Sequence, residues 1–446
     1  MSMFNVVEIC AGAGGQSLGL ERAGFEHLLA VEIDDTAVQT LRNNLGRDNA
    51  EPARQDLETG NPVKEGVQER KDVVRHGDVA DRQVWDPAEY ADQVDLFAGG
   101  VPCPPFSIAG KQLGTSDERD LFAWAVHQVG IIKPKALLLE NVRGLSMPRF
   151  AAYRQHVLDE LAEQGYVGFW KLLQASDFGV PQLRPRFVLV ALQQEYAPYF
   201  RWPDTSQYPS SSVGEVLKDL MASRGWPFAD KWAEQANAIA PTIVGGSKKH
   251  GGADLGPTRA KQAWKKLAVD AMGVANEAPG PDWPHFNIKP PKLTVEMVAR
   301  IQGWDSLENW PIQGRKTSQY RQVGNAFPPP VAEAVGRRII AALRKEGEAE
   351  DMPELAEAVD HDPVYRVLKQ AEKPLTSAAI QKLLKEPYGE EQLSRRIAYL
   401  HRDFSIETTE VGGKPAYTLG GFRGFIGQED HERHKSFEGK ARGQIS

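Results

Sequence analysis

The sequence predicts an α/β fold built on a parallel sheet, with a smaller α+β unit towards the C-terminal end. Short apolar runs of strand length recur between residues 5 and 192, and stretches with helical spacing lie between them. From Pro363 the order changes to three helices followed by two strands around Gly412-Gly413. Alternation of the first kind is the signature of a parallel sheet covered by helices. At 446 residues the chain exceeds the roughly 250–300 that one core sustains, so several domains are expected.

The first strand is Asn5-Val-Val-Glu-Ile-Cys10, followed by Ala11-Gly-Ala-Gly-Gly15 and a helix over Gln16–Ala23. A second strand, His27–Glu32, leads to a helix at Thr36–Asn43, and the polar residues 46–76 read as an insertion. Further strands are expected at Val94–Phe97, Ala136–Glu140 and Phe187–Leu192, with helices at Phe122–Gly130 and Tyr153–Gln164. Residues 193–290 are rich in Pro, Gly, Ser and Trp without a clean period, which predicts a small domain or long loops mounted on the sheet. Helical spacing returns at Thr294–Ile301 and Pro330–Leu343. The acidic stretch 346–362 reads as a linker. Beyond it, helices at 363–371, 376–385 and 390–403 and strands at 406–411 and 415–419 follow the order of a winged helix-turn-helix, ahead of a Gly-rich tail from residue 422.

Composition narrows the function. No apolar run approaches the roughly 18 residues of a membrane helix. Met1-Ser-Met-Phe4 lacks the charged start of a secretory signal, and two cysteines cannot build a disulfide scaffold or a cysteine metal site. A cytoplasmic protein without a metal is expected. The net charge of −7 is unevenly spread: residues 346–362 carry −8 and residues 363–446 carry +3, leaving −2 on the other 345. Bulk charge therefore does not exclude a nucleic-acid partner.

Several residues suit chemistry. Gly12, Gly14 and Gly15 let backbone approach a ligand at a helix N-terminus, although Ser17 stands where a dinucleotide fingerprint has its third glycine. Glu32, twenty residues past Gly12, suits ribose hydroxyls. Cys103 lies between Pro102 and Pro104-Pro105 after a strand, the place where open α/β sheets put their chemistry. The alternative for it is a small buried hydrophobe. Glu140 ends an apolar strand, where burial would raise its pKa and let it donate a proton; a helix cap is the other reading. Arg184 and Arg186 alternate on one side of an extended segment, placed either to grip an anion or to face solvent.

Taken together, Glu8-Ile-Cys-Ala-Gly-Ala-Gly-Gly15, Val31-Glu-Ile-Asp34, Gly77-Asp-Val79, Gly100-Val-Pro-Cys-Pro-Pro-Phe-Ser107, Glu140-Asn-Val142, Gln182-Leu-Arg-Pro-Arg186, Arg300-Ile-Gln-Gly303 and Gly324-Asn-Ala-Phe-Pro-Pro329 resemble the DNA cytosine-5 methyltransferases of bacteria, in their unpermuted order over about residues 5–343. The resemblance implies a Rossmann-like S-adenosylmethionine-dependent domain over 1–192 and 291–345, with target recognition inserted at 193–290. Outside it lie the linker 346–362, the winged-helix-like unit 363–421 and a flexible tail, 422–446.

The resemblance also implies roles. Cys103 is the thiolate that adds to C6 of cytosine; Glu140 protonates N3; Arg186, with Arg184, holds the flipped base and the catalytic groups. Cofactor contacts fall on Cys10, Ala11, Gly12, Ala13, Gly14 and Gly15, on Glu32 and Ile33, on Asp78 and Val79 at the adenine, and on Asn325 and Ala326 at the methionine end. DNA contacts fall on Ser107, Lys111 and Gln182, on Thr242 and Ile243, and on Lys248, Lys249 and His250. In the C-terminal unit, Arg395, Arg396, His401 and Arg402 are the candidates. Two departures stand out: Pro104 replaces the Gln usual after the cysteine, and Ile33 replaces an aromatic that stacks on adenine. The expected activity is methyl transfer to C5 of cytosine in a specific duplex sequence, serving restriction–modification or epigenetic marking, with S-adenosyl-L-homocysteine as product. The expected partners are duplex DNA and a cognate restriction endonuclease, with no membrane and a monomeric enzyme. A tRNA cytosine-5 methyltransferase and a catalytically silent DNA-binding regulator of the same fold are the alternatives.

Overall fold

The computed structural model describes residues 3–45, 73–102, 121–245, 253–350 and 361–423; the expected site residues Cys103, Ser107, Lys111, Lys248, Lys249 and His250 lie outside them. The alternation begins with β1 (Phe4–Ile9), α1 (Gly15–Ala23), β2 (Phe25–Glu32) and α2 (Asp35–Leu45). It continues through β3 (Val74–His76), β4 (Leu96–Gly99), α3 (Leu121–Ile132), β5 (Ala136–Val142) and α4 (Ala151–Glu163), then β6 (Tyr166–Gln174) and β7 (Pro185–Gln193). All seven strands form one sheet, in the order β3-β2-β1-β4-β5-β7-β6. The chain reverses its direction of build between β1 and β4, so the turns leaving these strands flank a crevice at their carboxyl ends.

The parallel sheet expected from the sequence needs correction at one edge. β7 runs antiparallel to both β5 and β6. A strand buried on both faces reads as a plain apolar run, and such a run carries no direction. β6 itself escapes sequence reading because, at the sheet edge, much of it is only half-buried and it mixes Gly168 and Lys171 with aromatics. β3 likewise lies within the stretch read as an insertion.

Residues 193–290 contain α5 (Val213–Ala222), α6 (Ala229–Gln235) and α7 (Thr258–Lys266). α5 opens with a capping box: Ser212 accepts from the Glu215 N–H while the Glu215 carboxylate accepts from the Ser212 N–H. These helices bury Leu217, Trp232 and Trp264 in one apolar cluster with Val38 and Leu41 of α2 and with α8 (Val295–Ile301) and α9 (Lys316–Asn325). The region is thus mounted on the first βαβ layer, sharing its core. The last helix of this layer is α10 (Pro329–Leu343), packed along α1.

The start of the acidic stretch is tied down: Arg201 pairs with Glu350 at 2.7 Å and donates to the Glu348 carbonyl. The C-terminal unit comprises α11 (Pro363–Gln370), β8 (Leu375–Thr376), α12 (Ser377–Leu383), α13 (Glu390–Asp403), β9 (Phe404–Val411) and β10 (Lys414–Phe422), its strands ordered β8-β10-β9. Asp362 caps α11 by accepting from the N–H groups of Val364 and Tyr365. The unit docks on α4, where the His156 ring lies 4.5 Å from that of Phe422 and 5.4 Å from that of Phe404. Among the described residues, no helix is long and apolar enough to cross a membrane.

This docking is pH-sensitive in a defined direction. Burial first, then Lys369, pushes the His156 pKa down to about 4, against Asp159 and Glu163 pulling it up. A histidine depressed on folding adds stability above its unfolded pKa of about 6.5, and that stability is lost as pH falls towards 4. The urea midpoint of the wild type is expected to drop more steeply between pH 7 and 5 than that of His156→Gln. Parallel pH slopes in the two proteins would show that His156 titrates alike in the folded and unfolded states and is not depressed by folding.

Candidate active site

The cleft is built from the two turns at the sheet's reversal point. β1 ends at Ile9, and Cys10, with φ of 50°, swings the chain towards α1. Gly14 has φ of 85°, and a side chain there would place Cβ 2.4 Å from the Trp310 ring, whose Nε1 donates to the Ala13 carbonyl at 2.8 Å. The turn is therefore clamped by Trp310, and only glycine fits beneath the clamp. Among the described residues no side chain caps α1, which leaves its first-turn N–H groups facing a ligand.

Glu32, the last residue of β2, is 9% exposed and locked in place. One carboxylate oxygen accepts from the Gly12 N–H at 2.8 Å; the other accepts from Ile33 and Asp34 at 2.9 and 2.8 Å. Burial pushes its pKa up while these three N–H groups pull it down. The result is a fixed acceptor beside the glycine turn.

Glu140 and Arg186 meet across the antiparallel pair β5–β7. Val142 lies opposite Arg186 and Glu140 opposite Val188, so glutamate and arginine are diagonal neighbours on one face. Arg186 Nε sits 2.5 Å from Glu140 Oε1. Burial raises the Glu140 pKa above the carboxylate range, with Arg186 and then Arg184 opposing. Asn141 donates from Nδ2 to the Val101 carbonyl at 3.3 Å, tying the end of β5 to the segment that runs into Pro102 and Cys103.

Of the residues expected at the cofactor, Cys10, Ala11, Gly12, Ala13, Gly15, Glu32, Asn325 and Ala326 line one cleft, and Glu140 lines it too. Gly14, Ile33, Asp78 and Val79 do not: Ile33 is 59% exposed, Val79 is buried, and Asp78 Oδ1 accepts from the Ala80 N–H. Burial, reinforced by Glu32, Asp78 and Glu8, raises the Cys10 pKa, which keeps this thiol protonated. Sequence reasoning missed Gln16, Arg321 and Gln322 as cleft residues. Gln16 carried a signal, being a polar residue in a first turn otherwise made of small and apolar ones.

Other expected contacts are occupied elsewhere. Arg184, 2% exposed, donates to the carbonyls of Ile243, Gly324 and Ala326 at 2.7, 2.8 and 2.9 Å. Gln182, expected at DNA, is fully buried; it donates to Gln302 Oε1 at 2.7 Å and accepts from the Ile243 N–H at 2.8 Å. Ile243 is also fully buried, and Thr242 donates to the Leu183 carbonyl. Together they form a polar knot holding 182–184, 242–245 and 324–326 so close that a Cβ on Gly324 would lie 2.6 Å from Gly245 Cα. In the C-terminal unit, Arg395 pairs with Glu391 along α13, and Arg396 pairs with Asp362 at 3.1 Å. Gln182, Arg184 and Ile243 are thus buried away from solvent, whereas the Arg395 side chain is 60% exposed and its pair with Glu391 is a surface one.

A seven-stranded mixed sheet whose next-to-edge strand runs antiparallel, with a glycine turn and an acidic strand end at its reversal point, is a methyltransferase fold. Residues 4–341 match the C-5 cytosine-specific DNA methylase family, and the chain belongs to that family. It is 58% identical to the type II methyltransferase M.NaeI of Lentzea aerocolonigenes over 98% of both chains. It is 46% identical to the type II methyltransferase M.NgoMIV of Neisseria gonorrhoeae over 77% of this chain and 99% of the relative. Similarity to the type II methyltransferase M.Eco47II of Escherichia coli is 31% over 77% of this chain and 80% of the relative.

Proposed function

We propose that this chain methylates C5 of cytosine in a specific duplex DNA sequence by a covalent route, using S-adenosylmethionine, within a bacterial restriction–modification system. The observation that carries the reading is Glu140: buried, held by Arg186, and facing the cleft of the Gly12 turn and Glu32. Glu32 presents a fixed carboxylate for ribose hydroxyls, and the open N-terminus of α1 favours a carboxylate. These residues fit S-adenosylmethionine, which when bound supplies an electrophilic methyl group.

The chain's own residues supply the rest. Cys103 would add as thiolate to C6 of a cytosine flipped out of the stack, because C6 is unreachable inside a duplex. Glu140 gives its proton to N3, so the electron pair arriving from sulfur localises at C5 as an enamine, the carbon that takes the methyl group. Loss of the C5 proton then expels the thiolate and restores the ring. Asn141 bears on this step by fixing Val101, two residues before Cys103. Residues 193–290 are assigned to target recognition, and 363–421, with its helix–strand–helix–helix–hairpin order, to a winged-helix-like accessory domain. Duplex DNA is the substrate, a cognate endonuclease the functional partner, and the bacterial cytoplasm the location.

Incubation with labelled S-adenosylmethionine and either duplex DNA or tRNA separates the alternatives, with Cys103→Ser as control. Label is expected on DNA and absent from the variant. A duplex containing 5-fluorocytosine is expected to trap the wild type covalently, because the C5 substituent cannot leave as a proton. Label on tRNA alone, or trapping that survives Cys103→Ser, would overturn the assignment.

A further inference from the structure

The first turn of α1 holds a side chain that the described residues leave unsatisfied. Gln16 is 3% exposed, lines the same cleft as Glu32 and Glu140, and has no hydrogen-bond partner among the described residues for either its amide nitrogen or its carbonyl oxygen. Buried Gln182 and Gln302, by contrast, are engaged in the polar knot beside the cleft. An orphaned buried amide is destabilising unless a ligand completes it.

Its surroundings say what kind of ligand. Glu8, fully buried and also lining the cleft, accepts from Ser17 Oγ at 2.7 Å and contacts His27 Nε2 at 2.8 Å through one oxygen, while its other oxygen has no partner among the described residues. This end of the cleft thus offers an amide donor, an amide acceptor and a carboxylate oxygen, next to the positive end of a nine-residue helix. Hydroxyls need only the acceptors that Glu32 provides at the other end. A zwitterionic α-amino acid needs a donor and an acceptor together.

We propose that Gln16 binds the amino-acid end of S-adenosylmethionine, its amide nitrogen donating to the α-carboxylate and its carbonyl oxygen accepting from the α-ammonium. It thereby sets the preference of this cleft for a nucleoside sulfonium or thioether with an intact zwitterionic chain. The inference rests on the cofactor reading above.

The test is calorimetric titration of the full-length protein with S-adenosylhomocysteine and with 5′-methylthioadenosine, which lacks the amino-acid end. Gln16→Met keeps the side-chain length without polar atoms, and Gln16→Glu sets a charge against the carboxylate; thermal unfolding without ligand checks that each folds, and either alone suffices. Binding of S-adenosylhomocysteine is expected to weaken about 10- to 100-fold, the worth of hydrogen bonds to charged groups, while methylthioadenosine changes less than about threefold. Unchanged S-adenosylhomocysteine binding, or equal loss for both ligands, would overturn the role of Gln16. A wild type that binds neither ligand would instead bring down the cofactor reading itself.

Discussion

Glutamine at position 140 is expected to cut the rate of methyl transfer by about 10²–10⁴ while cofactor affinity changes little, since that is the range general acid catalysis supplies. The substitution keeps the shape of the side chain and its approach to Arg186, and removes only the transferable proton. Burial raises the Glu140 pKa, and Arg186 and then Arg184 oppose the rise. The reactive form is the protonated one; activity should therefore fall as pH rises through that raised value. Replacing Arg186 by leucine removes the charge that favours the carboxylate, so the alkaline limb should move to higher pH. Single-turnover methylation across pH 6–9 in the three proteins reads both effects. A Glu140→Gln rate within a few-fold of wild type would remove the proton-donor role.

Leucine at position 184 should act on stability. The Arg184 guanidinium meets three carbonyls from two distant segments, and its loss leaves buried acceptors that cost about 1–3 kcal/mol each when unsatisfied. A loss of at least about 3 kcal/mol in urea unfolding is expected, with cofactor binding weakened in proportion to the unfolded fraction. Arg186→Leu should cost less stability and more rate. The two arginines stand two residues apart in one motif, yet one serves architecture and the other holds the proposed acid. An Arg184→Leu protein of normal stability and abolished rate would reverse that division.

Much of the site was legible because its residue types are dictated locally. A glycine turn after an apolar strand, an acid at the end of the next strand and a glutamate late in a buried strand each follow from backbone conformation and burial, which neighbouring residues control. The strands β1, β2, β4 and β5 were legible for the same reason. What escaped depends on partners far along the chain. β7 returns from β6 into the position between β5 and β6, antiparallel to both, a direction that only the assembled sheet reveals. Gln182 and Ile243 look like surface contacts in sequence, but the knot with Gln302, 120 residues from Gln182, buries them. Gln16 gained meaning only once the folded cleft buried it without a partner among the described residues.

By itself, then, the sequence determined the α/β class, the family and the residue types of the chemistry, since periodicity and motif spacing are properties of the chain alone. Only the tertiary structure decided which arginine pairs with Glu140, where the cleft ends, and that residues 193–290 share a core with α2 and α8. Those outcomes depend on desolvation and on hydrogen bonds between segments 59 to 140 residues apart, and burial of that kind exists only after the chain has folded.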